Sequence, residues 1–219
     1  MHEIQKQILK KLSLTKKAKY SELKSKDMEG NLFTYHLKGL LKEEYVVKKN
    51  DSYSLSAKGK RYTDRLSSCT LNVRIQPKIA TLIVLKEKGK YLLYERKKMP
   101  FIHQVGFPYG KIHLEERIME AAERELNEKT GLQATLKHRG DVYITVHDEM
   151  ELISHMLCHV FSGTKITGEI KSDECFFGKL EDFPRSKLIP GVVQIAKLLE
   201  KNKTQFFFDE FFLNCSDEA

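Results

Sequence analysis

The sequence predicts an α+β chain of two unlike domains, and three observations lead there. The net charge of +8 on the 219-residue chain falls entirely within residues 1–66, which hold 16 Lys and Arg against 8 Asp and Glu; residues 67–219 hold 22 of each. The first part has apolar residues at helical spacing closed by a short hairpin pattern. The second part alternates strand-like runs with two amphipathic helices. The boundaries are a domain at 1–66, a linker at 67–77 that ends in Pro77, and a domain at 78–219.

The elements follow in order. Ile4, Ile8, Leu9 and Leu12 give a first helix, and lysines around 16–19 read as a solvated link. Ser21 to Lys24 is a short second helix. Asn31 is placed as the N-cap of a third helix carrying Leu32, Phe33, Leu37, Leu40 and Leu41. YVVKK, the turn NDS and YSLS form a hairpin, and AKGKRYTDRL closes the domain as a helix.

In the second domain, ATLIVLKEKGKYLLYERK reads as two strands joined at Lys88-Gly89. KMPFIHQVGFPYG is an ordered loop. A helix spans 114–129, with Ile118, Ala122 and Leu126 on one face, Ala121 allowing close packing beside them, and Gly131 ending it. GDVYITV and MELISHMLCHVF are strands, SDECFFGKLEDFP holds a short strand, and VVQIAKLLEKN is an amphipathic helix. The tail TQFFFDEFFLNC is expected to pack as a final strand or to cover a subunit or domain contact.

Composition removes several function classes. Hydrophobic residues make up 41% and charged residues 31%, the balance of a globular protein. No run approaches 18 apolar residues and the N-terminus lacks a signal-peptide pattern, so a cytoplasmic protein without a membrane partner is expected. Cys69, Cys158, Cys175 and Cys215 form no CxxC pair and are read as reduced thiols. His155 and His159 lie four apart on a strand, about 13 Å along it, and are not read as a zinc pair.

The residues with chemistry are Glu116, Glu120, Arg124, Glu125 and Glu128. Glu125 and Glu128, three apart, sit together beside the apolar face of the helix. Adjacent carboxylates repel unless a cation lies between them, and Mg²⁺ takes one or two carboxylates together with substrate phosphates. On the residues alone, a solvated acidic face and a metal cluster both stay open.

The full spacing is Gly110, five residues, Glu116, seven residues, then Arg124-Glu125-Leu126-Asn127-Glu128-Lys129-Thr130-Gly131-Leu132. This resembles the Nudix box, G, five residues, E, seven residues, REUxEExGU, and GFPYGK resembles the approach to it. The resemblance implies an α/β/α sandwich with a mixed sheet and hydrolysis of a nucleoside diphosphate linked to another group, by attack of water on phosphorus. It implies Mg²⁺ or Mn²⁺ held by Glu125, Glu128 and the Gly110 carbonyl, with Arg124 orienting a glutamate and Glu116 supporting the loop. A further acid is expected from Glu151, Asp173 or Glu174, and Glu174 is taken as the ligand. Lys129 stands where the family usually has a glutamate. It either replaces a metal ion or contacts a substrate phosphate, or it marks a pocket that senses nucleotide without efficient hydrolysis. Tyr109 and Phe107, with Phe101, are candidates to stack on a base; Tyr91 and Tyr94 are expected to pack.

Residues 31–62 resemble the third helix, wing and final helix of winged helix-turn-helix regulators of the MarR and ArsR type, through YHLKGLLKEEYV and YSLSAKGKR. Glu44 stands where those proteins carry a glycine. The resemblance implies double-stranded DNA as a partner, with Asn31, Thr34, Tyr35, His36 and Lys38 facing it and Lys48, Lys49, Lys58, Lys60 and Arg61 meeting phosphates; the alternative is a winged helix used for dimerisation or as a substrate lid. It also implies a homodimer on two half-sites. The expectation is a metal-dependent pyrophosphohydrolase, with a nucleotide-sensing transcription regulator as the alternative.

Overall fold

The computed structural model describes residues 1–215, and the chain divides into two compact units, Met1–Gln76 and Pro77–Ala219. In the first, α1 (Glu3–Ser13) is followed by β1 (Ala18–Lys19), α2 (Tyr20–Leu23), α3 (Gly30–Lys42), β2 (Val46–Lys49), β3 (Ser52–Leu55) and α4 (Ala57–Asp64). The strands form a three-stranded sheet in the order β1-β3-β2. Ile8, Leu9, Leu12, Phe33, Leu37, Leu40 and Val46 make its core, which is the apolar face that the helical spacing specifies.

Three expectations change here. The third helix is capped by Glu29 rather than Asn31, and Glu29 makes no side-chain cap bond. The lysine link contains β1, whose Ala18 and Lys19 pair with Tyr53 and Ser52; two residues are too few to show strand periodicity. The linker folds back onto its own unit. Leu66 and Leu71 are buried, Leu66 bridges to Val73, and Lys6 Nζ donates to Asn72 Oδ1 at 2.8 Å.

The second unit runs β4 (Lys78–Glu87), β5 (Lys90–Glu95), β6 (Val105–Gly106), β7 (Tyr109–Lys111), α5 (Ile118–Thr130), β8 (Leu132–Asp148), β9 (Glu151–Gly168), β10 (Cys175–Gly178), α6 (Val192–Lys201) and β11 (Phe207–Asn214). Its mixed sheet has the path β10-β5-β4-β9-β8-β11, with β6 on β5 and β7 on β4. Lys88 and Gly89 turn β4 into β5 with φ of 48° and 80°, the two positive values that a tight hairpin needs. The loop before the helix therefore contains two short strands, held by pairing that no local pattern announces.

The two helices cover opposite faces. Ala122 and Leu126 of α5 pack on Ile83, Leu85, Leu92 and Phe161. Val192, Ile195 and Ala196 of α6 pack with Ala80, Leu82, Val84, Val142, Ile144, Cys158 and Val160. Alternate residues of β4 thus feed two cores, as strand geometry requires. Ile118 is exposed because α5 starts there, whereas Ala121 is fully buried. Gly131 ends α5 at φ 79°, in the left-handed region. The tail forms β11, parallel to β8, with Phe207 buried and Phe208 and Phe212 exposed. Among the described residues no helix is long and apolar enough to cross a membrane.

Candidate active site

Strand β7 and helix α5 build the site between them. Gly110 pairs with Thr81 of β4, and its Cα faces the Glu125 carboxylate so closely that a Cβ there would overlap it. Only glycine fits this contact. Glu125 is consequently buried, at 8% exposure, on a helix whose other acids face solvent.

Arg124 organises the acids. Its Nε and Nη2 grip both oxygens of Glu116, at 2.6 and 2.9 Å, in the fork geometry that suits guanidinium and carboxylate. Its Nη1 reaches Glu125 Oε1 at 2.8 Å and Glu128 Oε2 at 3.2 Å, and Nη2 also donates to the Lys111 carbonyl at 3.1 Å. One guanidinium nitrogen therefore draws Glu125 and Glu128 together. The backbone N–H of His113 donates to Glu116 as well. These bonds, the arginine first, hold the Glu116 carboxyl down at about 2, and the carboxylates raise the pKa of Arg124.

Lys129 turns into the site. Its ammonium lies 3.9 Å from Glu125 Oε2 and sits over the rings of Tyr94 and Tyr109, 5.0 and 5.3 Å from their centroids. Burial lowers its pKa, which the Glu125 charge partly opposes. The backbone carbonyl of Lys129 accepts from the Cys175 thiol at the start of β10.

A cavity of about 430 Å³ opens beside Glu125 and Lys129. Lys78, Arg96, Lys98 and Lys111 bring further positive charge to its wall. Burial and the neighbouring Lys111 and Arg96 lower the pKa of Lys78. Arg96 is fixed by hydrogen bonds to the Tyr109 hydroxyl and to the carbonyls of Met99 and Pro100. The cavity is thus a cationic chamber with a buried carboxylate at one side, an arrangement that attracts a phosphorylated anion.

Of the residues expected from sequence, the fold brings Gly110, Glu116, Arg124, Glu125, Glu128, Lys129 and Tyr109 together. Phe107 lies elsewhere: it is 1% exposed and packs edge-on to Tyr91 in the core. Tyr91 and Tyr94 pack as expected, although Tyr94 also carries Lys129. Glu174 stands just before β10 and its carbonyl accepts from Glu95 N–H at 2.9 Å. The cations Lys78, Arg96 and Lys98 escaped the sequence reading, because they come from a strand start, a strand end and a loop that only the sheet brings together.

A second polar group lies on the same sheet. His138 Nε2 and His159 Nδ1 both contact Asp141 Oδ1, at 2.9 and 2.7 Å, and the three ligand atoms are mutually within 4.8 Å, a grouping able to hold a metal ion. His155, four residues earlier on β9, packs edge-on to Tyr143, and the partners of His159 come from β8.

In the first unit, Asn31, Tyr35 and Lys38 form an exposed stripe on α3, and Lys48 and Lys49 are exposed on β2. Thr34 and His36 turn inward. The Thr34 hydroxyl bonds to the Gly30 carbonyl and to Tyr20, and His36 is buried against His2, which lowers its pKa.

Comparison with known proteins agrees with this geometry. A curated relative, the ADP-ribose pyrophosphatase of Methanocaldococcus jannaschii, is 26% identical over 162 residues, covering 72% of this chain and 85% of its own length. The solved mutator MutT protein of Bacillus halodurans matches with a TM-score of 0.51 and 22% identity, over 65% of this chain and 93% of its own, a likeness of fold. The family model described as the NUDIX domain matches residues 76–207, which is most of the second unit and more than half of the chain. The chain belongs to the Nudix family.

Proposed function

We propose that the second unit hydrolyses the pyrophosphate of a nucleoside diphosphate linked to another group. The observation that carries this reading is the cationic chamber beside Glu125. Lys78, Arg96, Lys98, Lys111 and Lys129 suit the charge of two adjacent phosphates. The name of the M. jannaschii relative makes ADP-ribose the first substrate to test.

Glu125 and Glu128 supply oxygen donors already drawn to one cationic nitrogen, so the donor set fits Mg²⁺ or Mn²⁺. When bound, such an ion supplies Lewis-acid stabilisation of charge on the phosphate oxygens. The chain's own residues do the rest. Arg124 fixes both carboxylates, Glu116 fixes Arg124, and the absence of a side chain at Gly110 leaves Glu125 its place. Lys129 contacts a substrate phosphate, and Tyr109 borders the chamber. Glu174 is the further acid that we assign to the site. Water adds to phosphorus, the bridging P–O bond breaks, and two monophosphates leave.

For the first unit we propose a winged helix that binds double-stranded DNA, supported by its element order and by the exposed Asn31, Tyr35, Lys38, Lys48 and Lys49. One observation favours a second reading, a nucleotide-sensing regulator. The Lys129 ammonium stands beside Glu125, in the position where a further carboxylate would strengthen metal binding.

The deciding experiment is product release by the full chain from ADP-ribose, NAD(H), dinucleoside polyphosphates, sugar nucleotides and nucleoside triphosphates, with and without Mg²⁺ or Mn²⁺. Metal-dependent turnover of one class, lost in Glu128→Gln, supports the hydrolase. No turnover by the folded protein, with ligand-dependent DNA binding, supports the sensor.

A further inference from the structure

We propose that His138, Asp141 and His159 form a site for a divalent transition-metal ion of the zinc class, separate from the carboxylates of α5 and independent of the hydrolase reading. The pairing locates it. Gly110 lies opposite Thr81, Thr81 opposite His159, and His159 opposite Asp141, a row across β7, β4, β9 and β8. Directly paired residues point to one face, so His159 and Asp141 share the face on which Gly110 meets Glu125. Two strand spacings, about 10 Å, separate Gly110 from His159. One ion therefore does not bridge the two sets.

Local irregularity completes the cluster. His138 and Asp141 are three apart, which puts them on opposite faces of a regular strand. The register against β9 shifts between His138 and Gly140, and the extra residue returns His138 to the face of Asp141. Arg139, the residue between them, directs its guanidinium to the carbonyls of Asn202 and Lys203 and to Ser162 Oγ. The edge strand β11 closes over Gly140, where a Cβ would overlap the Phe207 carbonyl. The bulge is thus held from both sides.

The ligand atoms are near coordination spacing. Zinc–nitrogen and zinc–oxygen bonds of about 2.0–2.2 Å place tetrahedral ligand atoms about 3.3–3.5 Å apart. The two imidazole nitrogens already converge on a single carboxylate oxygen, within the common 4.8 Å limit. The rings are pre-oriented: His138 stacks on Phe161 at 4.9 Å and meets Phe206 edge-on at 5.2 Å. Thr81, beside His159 in the row, has a fully buried hydroxyl with no partner among the described residues. All three ligands are partly exposed, so solvent ions reach them. Two imidazoles and one carboxylate suit Zn²⁺, Co²⁺ or Ni²⁺, whereas Mg²⁺ prefers oxygen alone. Three protein ligands leave a coordination position open.

The test uses the full chain stripped with a chelator and titrated with Co²⁺ and then Zn²⁺, followed by calorimetry and visible absorption. In the Glu125→Gln/Glu128→Gln double variant, which lacks the carboxylate site proposed above, we expect one saturable equivalent of Co²⁺ with a d–d band, displaced by Zn²⁺; the histidine substitutions are made in this background. Binding should weaken at least 100-fold in His159→Gln and in His138→Gln, whose side chain is more exposed; circular dichroism confirms their folding. Absence of saturable Co²⁺ or Zn²⁺ binding by the folded wild type overturns the proposal and leaves the triad a hydrogen-bonded tie. Binding by the glutamate double variant that survives both histidine substitutions, or that is absent from the folded double variant, overturns it equally.

Discussion

The Lys129 ammonium stands 3.9 Å from Glu125 Oε2, between two tyrosine rings. A lysine on the outer face of a helix costs nothing to keep charged. Here burial disfavours the charge, and Glu125 is the anion that offsets it. Lys129→Glu brings a second carboxylate to the same place. We expect Mn²⁺ affinity, measured by electron paramagnetic resonance, to rise about tenfold. We also expect KM for the pyrophosphate substrate to rise, because the phosphate contact proposed for Lys129 is lost. A variant with unchanged KM and higher turnover would show that Lys129 is only a lost metal ligand.

Glu128→Gln removes one oxygen donor and leaves the fold, because Glu128 is largely exposed. Metal-dependent turnover should fall at least about 100-fold with an unchanged melting curve. Unchanged turnover would remove Glu128 from the proposed metal site.

Gly110→Ala forces a Cβ into the Glu125 carboxylate. The side chain must swing away from Arg124, so turnover should be lost. The overpacking should cost about 1–3 kcal/mol, read by chemical denaturation. A variant of full activity and stability would mean that the strand is freer here than the contact requires.

Glu116 links pH to the geometry of the site. Its folded pKa of about 2 lies below the ordinary 4.5, so its contribution is present above pH 4.5 and is lost as pH falls toward 2. The Nε–H resonance of Arg124 should stay constant down to about pH 4 and shift with a midpoint near 2. Glu116→Gln should abolish that transition.

The first unit offers two tests. Glu44 has φ 60°, in the left-handed region that favours glycine. The strain of about 1–2 kcal/mol exceeds the entropy cost of glycine, so Glu44→Gly should gain about 0.5–1 kcal/mol, read by hydrogen exchange of α3 amides. If the unit binds DNA, Lys48→Ala/Lys49→Ala should reduce the slope of log K against log salt by about 2, measured on a mixed-sequence duplex. An unchanged slope would take these lysines off the phosphates.

The sequence by itself determined the elements whose signal is local. The charge step marked two units, and the 3.6-residue spacing of Ile8, Leu9 and Leu12, or of Ala122 and Leu126, marked helices with buried faces. Gly131 announced its left-handed cap, and Lys88-Gly89 its hairpin. The acids of α5 were legible because one helix carries them at fixed spacing. Tertiary structure decided what depends on distant strands. It brought Lys78, Arg96 and Lys98 around Glu125, turned Phe107 into the core and His36 inward, and added β1, β6 and β7 through pairings too short to leave a period. It also joined His138 to Asp141 through a bulge, and both to His159. A pairing register between strands belongs to two segments at once, so neither segment's sequence can state it alone.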